Sequence, residues 1–186
     1  MRAIAGPKGT RPTRKTSYFL APFVLLALAI VAACGAPDSS ARIGVDAPDE
    51  TQFPPVSDLL DHRCGSLDCH GQTSRNLQIF GCEGMRLDPN DVPGCRNAGG
   101  KDTTQAEYDA TYRSLVGLEP AVMSEVVSGG GAHPELLTFV RKARGWEAHK
   151  GGGLMFPGDE QDVCITSWLA GKTDDATCVK AIADFP

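Results

Sequence analysis

Cysteine placement limits this chain more than any other feature. Its 186 residues hold seven cysteines, at 34, 64, 69, 82, 95, 164 and 178, and two of them stand in the run Cys64-Gly-Ser-Leu-Asp-Cys69-His70-Gly71. A short loop with a thiol at each end and an imidazole directly after the second has three chemical uses: a disulfide, a metal site, or covalent attachment of a cofactor. A shared tetrahedral metal is the poorest of these, because the side chains of adjacent Cys69 and His70 diverge and no fourth ligand stands at a familiar spacing. The glycine-rich stretches around Gly99, 129–131 and 151–153 follow no strand pattern and read as loops, and no nucleophile elbow is present. Nucleotide-binding and hydrolase readings therefore find no motif.

The first residues decide which cysteines can oxidise. Residues 1–33 carry Arg2, Lys8, Arg11, Arg14 and Lys15 with no acid, followed by an apolar run from Tyr18 to Val31, the pattern of an export signal. The run is short of the about twenty apolar residues a spanning helix needs, and Cys34-Gly35 ends it abruptly. Val31-Ala32-Ala33-Cys34 resembles a bacterial lipobox. That resemblance implies that Cys34 becomes the lipidated first residue of the mature chain, anchored by acyl chains at about 0.8 kcal/mol per buried methylene. Gly35 is not the aspartate of an inner-membrane retention signal, so the periplasmic or outer-membrane side of the cell envelope is expected. The segment from Gly35 to Pro55, rich in Pro, Asp, Ala and Ser and without hydrophobic periodicity, reads as a tether. Residues 56–186 are then one domain, in a compartment where disulfides persist.

Within that compartment the Cys64–Gly71 run takes its most specific reading. Two thiols can add as thioethers to the vinyl groups of one porphyrin, and the histidine after the second then lies under the iron. Four residues separate the thiols here, so the run resembles the variant attachment site of some bacterial multihaem cytochromes. This implies one haem c held by Cys64 and Cys69, with His70 as the proximal ligand. Cys82, Cys95, Cys164 and Cys178 remain, and proximity in sequence favours Cys82–Cys95 and Cys164–Cys178. Four cysteines allow three pairings, and a third disulfide between Cys64 and Cys69, with no cofactor, fits the same even count.

The periodicity predicts helices more readily than strands. Val56–Arg63 places Val56, Leu59 and Leu60 on one side. Thr104-Gln-Ala-Glu107 matches a capping box, ahead of Tyr108, Tyr112, Leu115 and Val116 at helical spacing. Pro120 and Pro134 open helices toward Val127 and Ala143. Asp159 caps a helix bearing Ile165, Trp168 and Leu169 on one face and ended by Gly171, and Thr173–Asp184 is the last. The fold class is mostly α, with long glycine-rich loops and two disulfides.

Near the C-terminus the sequence reads Gly153-Leu154-Met155-Phe156-Pro157-Gly158, then acidic residues, then the helix ending in Trp168-Leu169. This resembles class I cytochromes c. The resemblance implies a cytochrome c-like helical domain with Met155 as the distal iron ligand and the Trp168 helix packed on the one that precedes Cys64. His149 is the rival ligand, since Glu147-Ala-His149-Lys-Gly-Gly152 resembles a His-x-Gly-Gly stretch of exported haem-c-like proteins. Met123, Met85, His133 or an open site, the last permitting small-ligand or peroxide chemistry, are the remaining choices. Arg75, Arg86 and Arg96 are candidate partners of a haem propionate, whereas His62 and His133 read as surface residues. The stretch from Cys82 to Arg144 matches nothing in that family and reads as an insertion.

The expected function is a membrane-anchored monohaem c-type cytochrome that passes single electrons outside the cytoplasm and is not an enzyme. A haem-free, disulfide-stapled lipoprotein with a structural or binding role is the alternative. The chain has 18 Lys and Arg against 23 Asp and Glu, and five of the basic residues lie in the leader, so the rest carries a net charge of about −10. Such a surface excludes nucleic acid as a partner and suits a basic redox protein.

Overall fold

Phe53 is where the chain commits to its core. The structure, a computed structural model, describes residues 44–183; the expected export signal and lipidated Cys34 lie outside the described residues. Pro54 and Pro55 open helix α1 (Pro54–Cys64), where the missing donors are harmless. The helix buries Val56, Leu59 and Leu60, the predicted face. Next come α2 (Gln105–Val116), α3 (Pro120–Ser128), α4 (Thr138–Ala143), α5 (Glu160–Leu169) and α6 (Asp175–Ala183). No strand occurs among the described residues; Phe80 and Met85 form one isolated bridge. None of the described helices is long and apolar enough to cross a membrane.

Capping sets the helix ends where the sequence placed them. Thr104 and Glu107 close a reciprocal capping box on α2, and the Asp159 carboxylate accepts the Asp162 N–H at 2.8 Å to start α5. Gly171, at φ +89°, turns the chain out of α5 in the left-handed conformation that only glycine adopts freely. The helix expected from Pro134 to Ala143 is divided. Pro134–Leu136 is a 3₁₀ turn, Leu137 is extended (ψ 126°), and α4 starts at Thr138. The break buries Leu137, while the Glu119 carboxylate takes both the Thr138 N–H (2.7 Å) and its hydroxyl (2.8 Å).

Helix α1 packs against both α5 and α6, and the aromatic centre of the core joins side chains from the start, middle and end of the described residues. The Phe53 and Trp168 rings are 4.9 Å apart, and Tyr112 meets each edge-on at 5.5 and 6.2 Å. The polar tips reach back to the segment before α1: Trp168 Nε1 donates to the Asp49 carbonyl (3.1 Å) and the Tyr112 hydroxyl to that of Pro48 (2.7 Å). Asp46 joins the same body, with its N–H on Ser124 Oγ and its carboxylate accepting from the Ser128 hydroxyl. The compact unit thus begins at Gly44, and residues 46–53, read from sequence as tether, are packed. Their polarity misled because their carbonyls and polar side chains are bonded to partners far away in sequence.

Disulfides join Cys82 to Cys95 and Cys164 to Cys178, the second tying α5 to α6. They mark a protein of an oxidising, extracytoplasmic compartment. Among the described residues two ion pairs are buried, Arg86 with Glu107 and Arg144 with Asp162, each joined through two hydrogen bonds. The Phe53 ring is fully buried between two other aromatics, and its loss would leave a large void. Phe53→Ala is expected to cost about 3–5 kcal/mol of stability, read from the urea unfolding midpoint.

Candidate functional site

Helix α1 delivers Cys64 at its last position, and the next six residues fold back on that end. The His70 N–H bonds the Cys64 carbonyl at 2.9 Å, and the Cys69 and Gly71 N–H groups converge on the Ser66 carbonyl at 2.9 and 3.0 Å. The four residues between the thiols fold as part of a compact turn closed by these bonds. Arg75 clamps it from outside, donating from Nε to the Cys69 carbonyl (2.9 Å) and from a terminal nitrogen to that of Asp68 (3.3 Å).

Glycines make this fold-back possible through missing side chains. A Cβ on Gly71 would lie 2.1 Å from the Gly65 carbonyl oxygen, and one on Gly84 only 1.9 Å from the same atom. Backbone therefore meets backbone at two contacts, and an alanine fits at neither Gly71 nor Gly84.

Cys64 and Cys69 are not bonded to one another, in contrast to the four cysteines that pair. Burial pushes the Cys64 thiol up to about 11, so it stays protonated at neutral pH. It has none of the thiolate character of a redox-active dithiol.

His70 is oriented by its own chain. Nδ1 lies 3.0 Å from the Leu77 carbonyl, and since a carbonyl only accepts, Nδ1 carries the hydrogen and the Nε2 lone pair is left free. Burial, opposed by that hydrogen bond, holds the imidazole below its ordinary protonation range. A neutral ring with a fixed tautomer is the form that binds a metal. The His149 ring lies 5.7 Å away, centroid to centroid, and within 18° of parallel. Its Nδ1 is buried and makes no hydrogen bond.

Both histidines line a cavity of about 770 Å³, within the roughly 300–1,000 Å³ range of ligand sites. Leu59, Leu60, Leu77, Phe139, Leu154 and Ile165 supply its apolar wall, with Cys64 and Cys69 on it too. Arg63, Arg75, Lys142 and Lys150 bring four cations to the lining against Asp68 and Glu119, an inversion of the acidic balance of the whole chain. Met155 lines the same cavity and is only 3% exposed. The segment that carries His149 leaves and re-enters the body at one point: the Leu154 and Met155 N–H groups both bond the Ala143 carbonyl (2.8 and 3.1 Å), and Gly145 packs on Gly153 so closely that a Cβ would lie 3.2 Å from its Cα.

No family model, characterised protein or solved structure matches this chain.

The structure therefore brings together Cys64, Cys69, His70, His149, Met155 and Arg75 around one cavity. It places the other sequence candidates elsewhere. Arg86 is engaged with Glu107 and the carbonyls of Lys101 and Asp102, Arg96 pairs with Asp102 on the surface, and Met123 is core. His133, at φ 55°, pairs with Glu135 and is exposed, as the sequence implied; His62 is half-buried against Glu83 at 2.9 Å. Among the described residues no group of three or more His, Cys, Asp or Glu side chains is placed to hold a metal ion alone. Sequence reasoning missed the Leu77 carbonyl, which no residue type announces, and the glycine packing, whose only signal is Gly65, Gly71, Gly81 and Gly84 in one stretch.

Gly84→Ala is expected to destabilise the protein by about 1–3 kcal/mol through overpacking, whereas Gly44→Ala, with nothing within 4 Å, should leave it within about 0.5 kcal/mol of wild type. Paired thermal melts check this.

Proposed function

We propose that this chain is an extracytoplasmic monohaem c-type cytochrome of cytochrome c-like architecture, which exchanges single electrons and performs no chemistry on a substrate. One observation carries the reading: two unpaired cysteines and two facing histidines, one with its free nitrogen oriented by a backbone carbonyl, converge on a single apolar cavity with a cationic rim. Cys64 and Cys69 would add their S–H bonds across two vinyl groups, forming thioethers with no oxidant required. His70 would give Nε2 to the iron. Arg75, Lys142 and Lys150 offer the positive charge that two propionates need. Haem bound there supplies one-electron exchange between ferric and ferrous iron.

For the distal side, we favour His149 over Met155, the first choice from sequence, because its ring lies 5.7 Å from that of His70 on the same cavity. The buried Nδ1 of His149 adds a polar atom that makes no hydrogen bond. Met155 then serves the apolar wall. Attachment of lipid at Cys34 and docking of a basic redox protein complete the proposal, supported by the leader and by the acidic balance of the chain.

The test is a visible spectrum and a peroxidase-stained denaturing gel of the full chain exported with haem-c maturation machinery. Sharp bands on reduction and a stained polypeptide are expected, both lost in Cys64→Ala/Cys69→Ala. Met155→Ala should keep the spectrum and His149→Ala should change it; the reverse assigns the distal site to sulfur. A colourless, folded chain overturns the cytochrome reading in favour of a haem-free lipoprotein.

A further inference from the structure

Asp61 is a buried carboxylate that the electron-transfer reading leaves unused. It lies on the last turn of α1, three residues before Cys64, and is 3% exposed. Its backbone carbonyl accepts the Gly65 N–H (2.9 Å), and its Oδ2 accepts the Glu83 N–H (3.0 Å). Oδ1 is buried and makes no hydrogen bond, a costly state for an ionised oxygen.

Glycines from two loops form the space around it. A Cβ on Gly81 would lie 2.2 Å from Oδ2, one on Gly65 2.5 Å from Oδ1, and one on Gly84 3.4 Å from Oδ1. The same Gly65 and Gly84 hold the turn that carries Cys69 and His70. The carboxyl group is thus packed into the base of the attachment turn.

The charges that face it are unfavourable to an anion. Asp58 and His62 lie on its own helix, Glu83 and Arg86 on the loop that covers it, and Tyr108 on α2, where its hydroxyl donates to Asp58 at 2.8 Å. His62 is paired with Glu83, and the Arg86 guanidinium is taken up by Glu107. Burial first, then the charges of Glu83 and Asp58, push Asp61 up to about 6, against the Glu83 N–H and Arg86.

We propose that Asp61 binds and releases a proton in step with the electron at the haem site, protonated in the reduced protein and ionised in the oxidised one. The inference rests on the haem reading. A one-electron reductant, a partner protein or an electrode, delivers one electron; Asp61 takes one proton from water onto Oδ1; both leave again on oxidation, and the buried charge is unchanged. The coupling is electrostatic, across about one helical turn from Asp61 to Cys64, through packed backbone that screens far less than solvent.

The experiment is a potentiometric titration of the full haem-loaded chain between pH 4.5 and 8.5. In wild type the midpoint potential should fall as pH rises between about 5 and 7, because ionised Asp61 favours the oxidised state. Asp61→Asn keeps an acceptor for the Glu83 N–H and should show no slope in that window. Redox-difference infrared spectra of wild type at pH 6 need no variant, and should show a protonated carboxyl band gained on reduction. Stability gives a readout independent of haem. A carboxylate raised in the folded state contributes stability that is fully present below its unfolded value and is lost as pH rises through about 6, so the unfolding midpoint should fall over that range in wild type and stay flat in Asp61→Asn. Equal potential slopes in the two proteins, or no carboxyl gain on reduction, overturn the inference. A chain with no redox couple at all overturns the haem reading instead, and the two failures are thereby distinct.

Discussion

The Gly65 carbonyl oxygen is the atom around which the site is organised. It lies where Gly71 and Gly84 carry no side chains, and that close approach lets the chain leave the end of α1, make a turn and return its seventh residue to the same helix end. Everything at the cavity follows from this contact. The His70 N–H reaches the Cys64 carbonyl, the imidazole reaches Leu77, and the two thiols remain on one wall. An ordinary loop of this length would need to close by side-chain packing. Here the closure is backbone on backbone, the stiffer solution, because peptide groups have no rotamers to exchange.

The aromatic core serves the same end from a distance. Phe53 begins α1 and Trp168 lies near the end of α5, so their contact fixes the direction in which α1 presents Cys64. Tyr112 joins them from α2, and its hydroxyl and the Trp168 indole hold the segment before α1 by its carbonyls. The disulfide between Cys164 and Cys178 sets α6 beside α5. Arg144 and Asp162 lock the segment after α4 to the start of α5, where the Gly158 N–H also bonds Asp162. The two walls of the cavity are therefore fixed from opposite ends of the described chain.

Helices and pairings were legible in the sequence for local reasons. A capping box at Thr104, Asp159 ahead of an apolar face, prolines at first turns and a glycine at the end of α5 act over three or four residues, and both disulfides join cysteines fewer than fifteen residues apart. What stayed hidden depends on partners far away in sequence. Leu137 divides a helical pattern because Glu119 and the core claim that stretch. Residues 46–53 look like tether because the carbonyls of Pro48, Asp49 and Gln52 and the polar side chains of Asp46 and Gln52 find partners far away in sequence. Asp61 gave no signal, since a carboxylate on a short helix ordinarily faces water. The candidate site was legible as a motif, but the orientation of His70 and the partner it faces are properties of the folded chain.

The loop that carries His149 departs from and returns to the Ala143 carbonyl, with Gly145 and Gly153 pressed together at its neck. Such a loop is a self-contained cassette: its ends are closed whatever lies between them. Doubling its length would raise the closure cost by only about 0.6 kcal/mol. The residue that stands beside His70 in the cavity is thus carried on a loop closed at its neck, while His70 is held by the packed turn that follows α1.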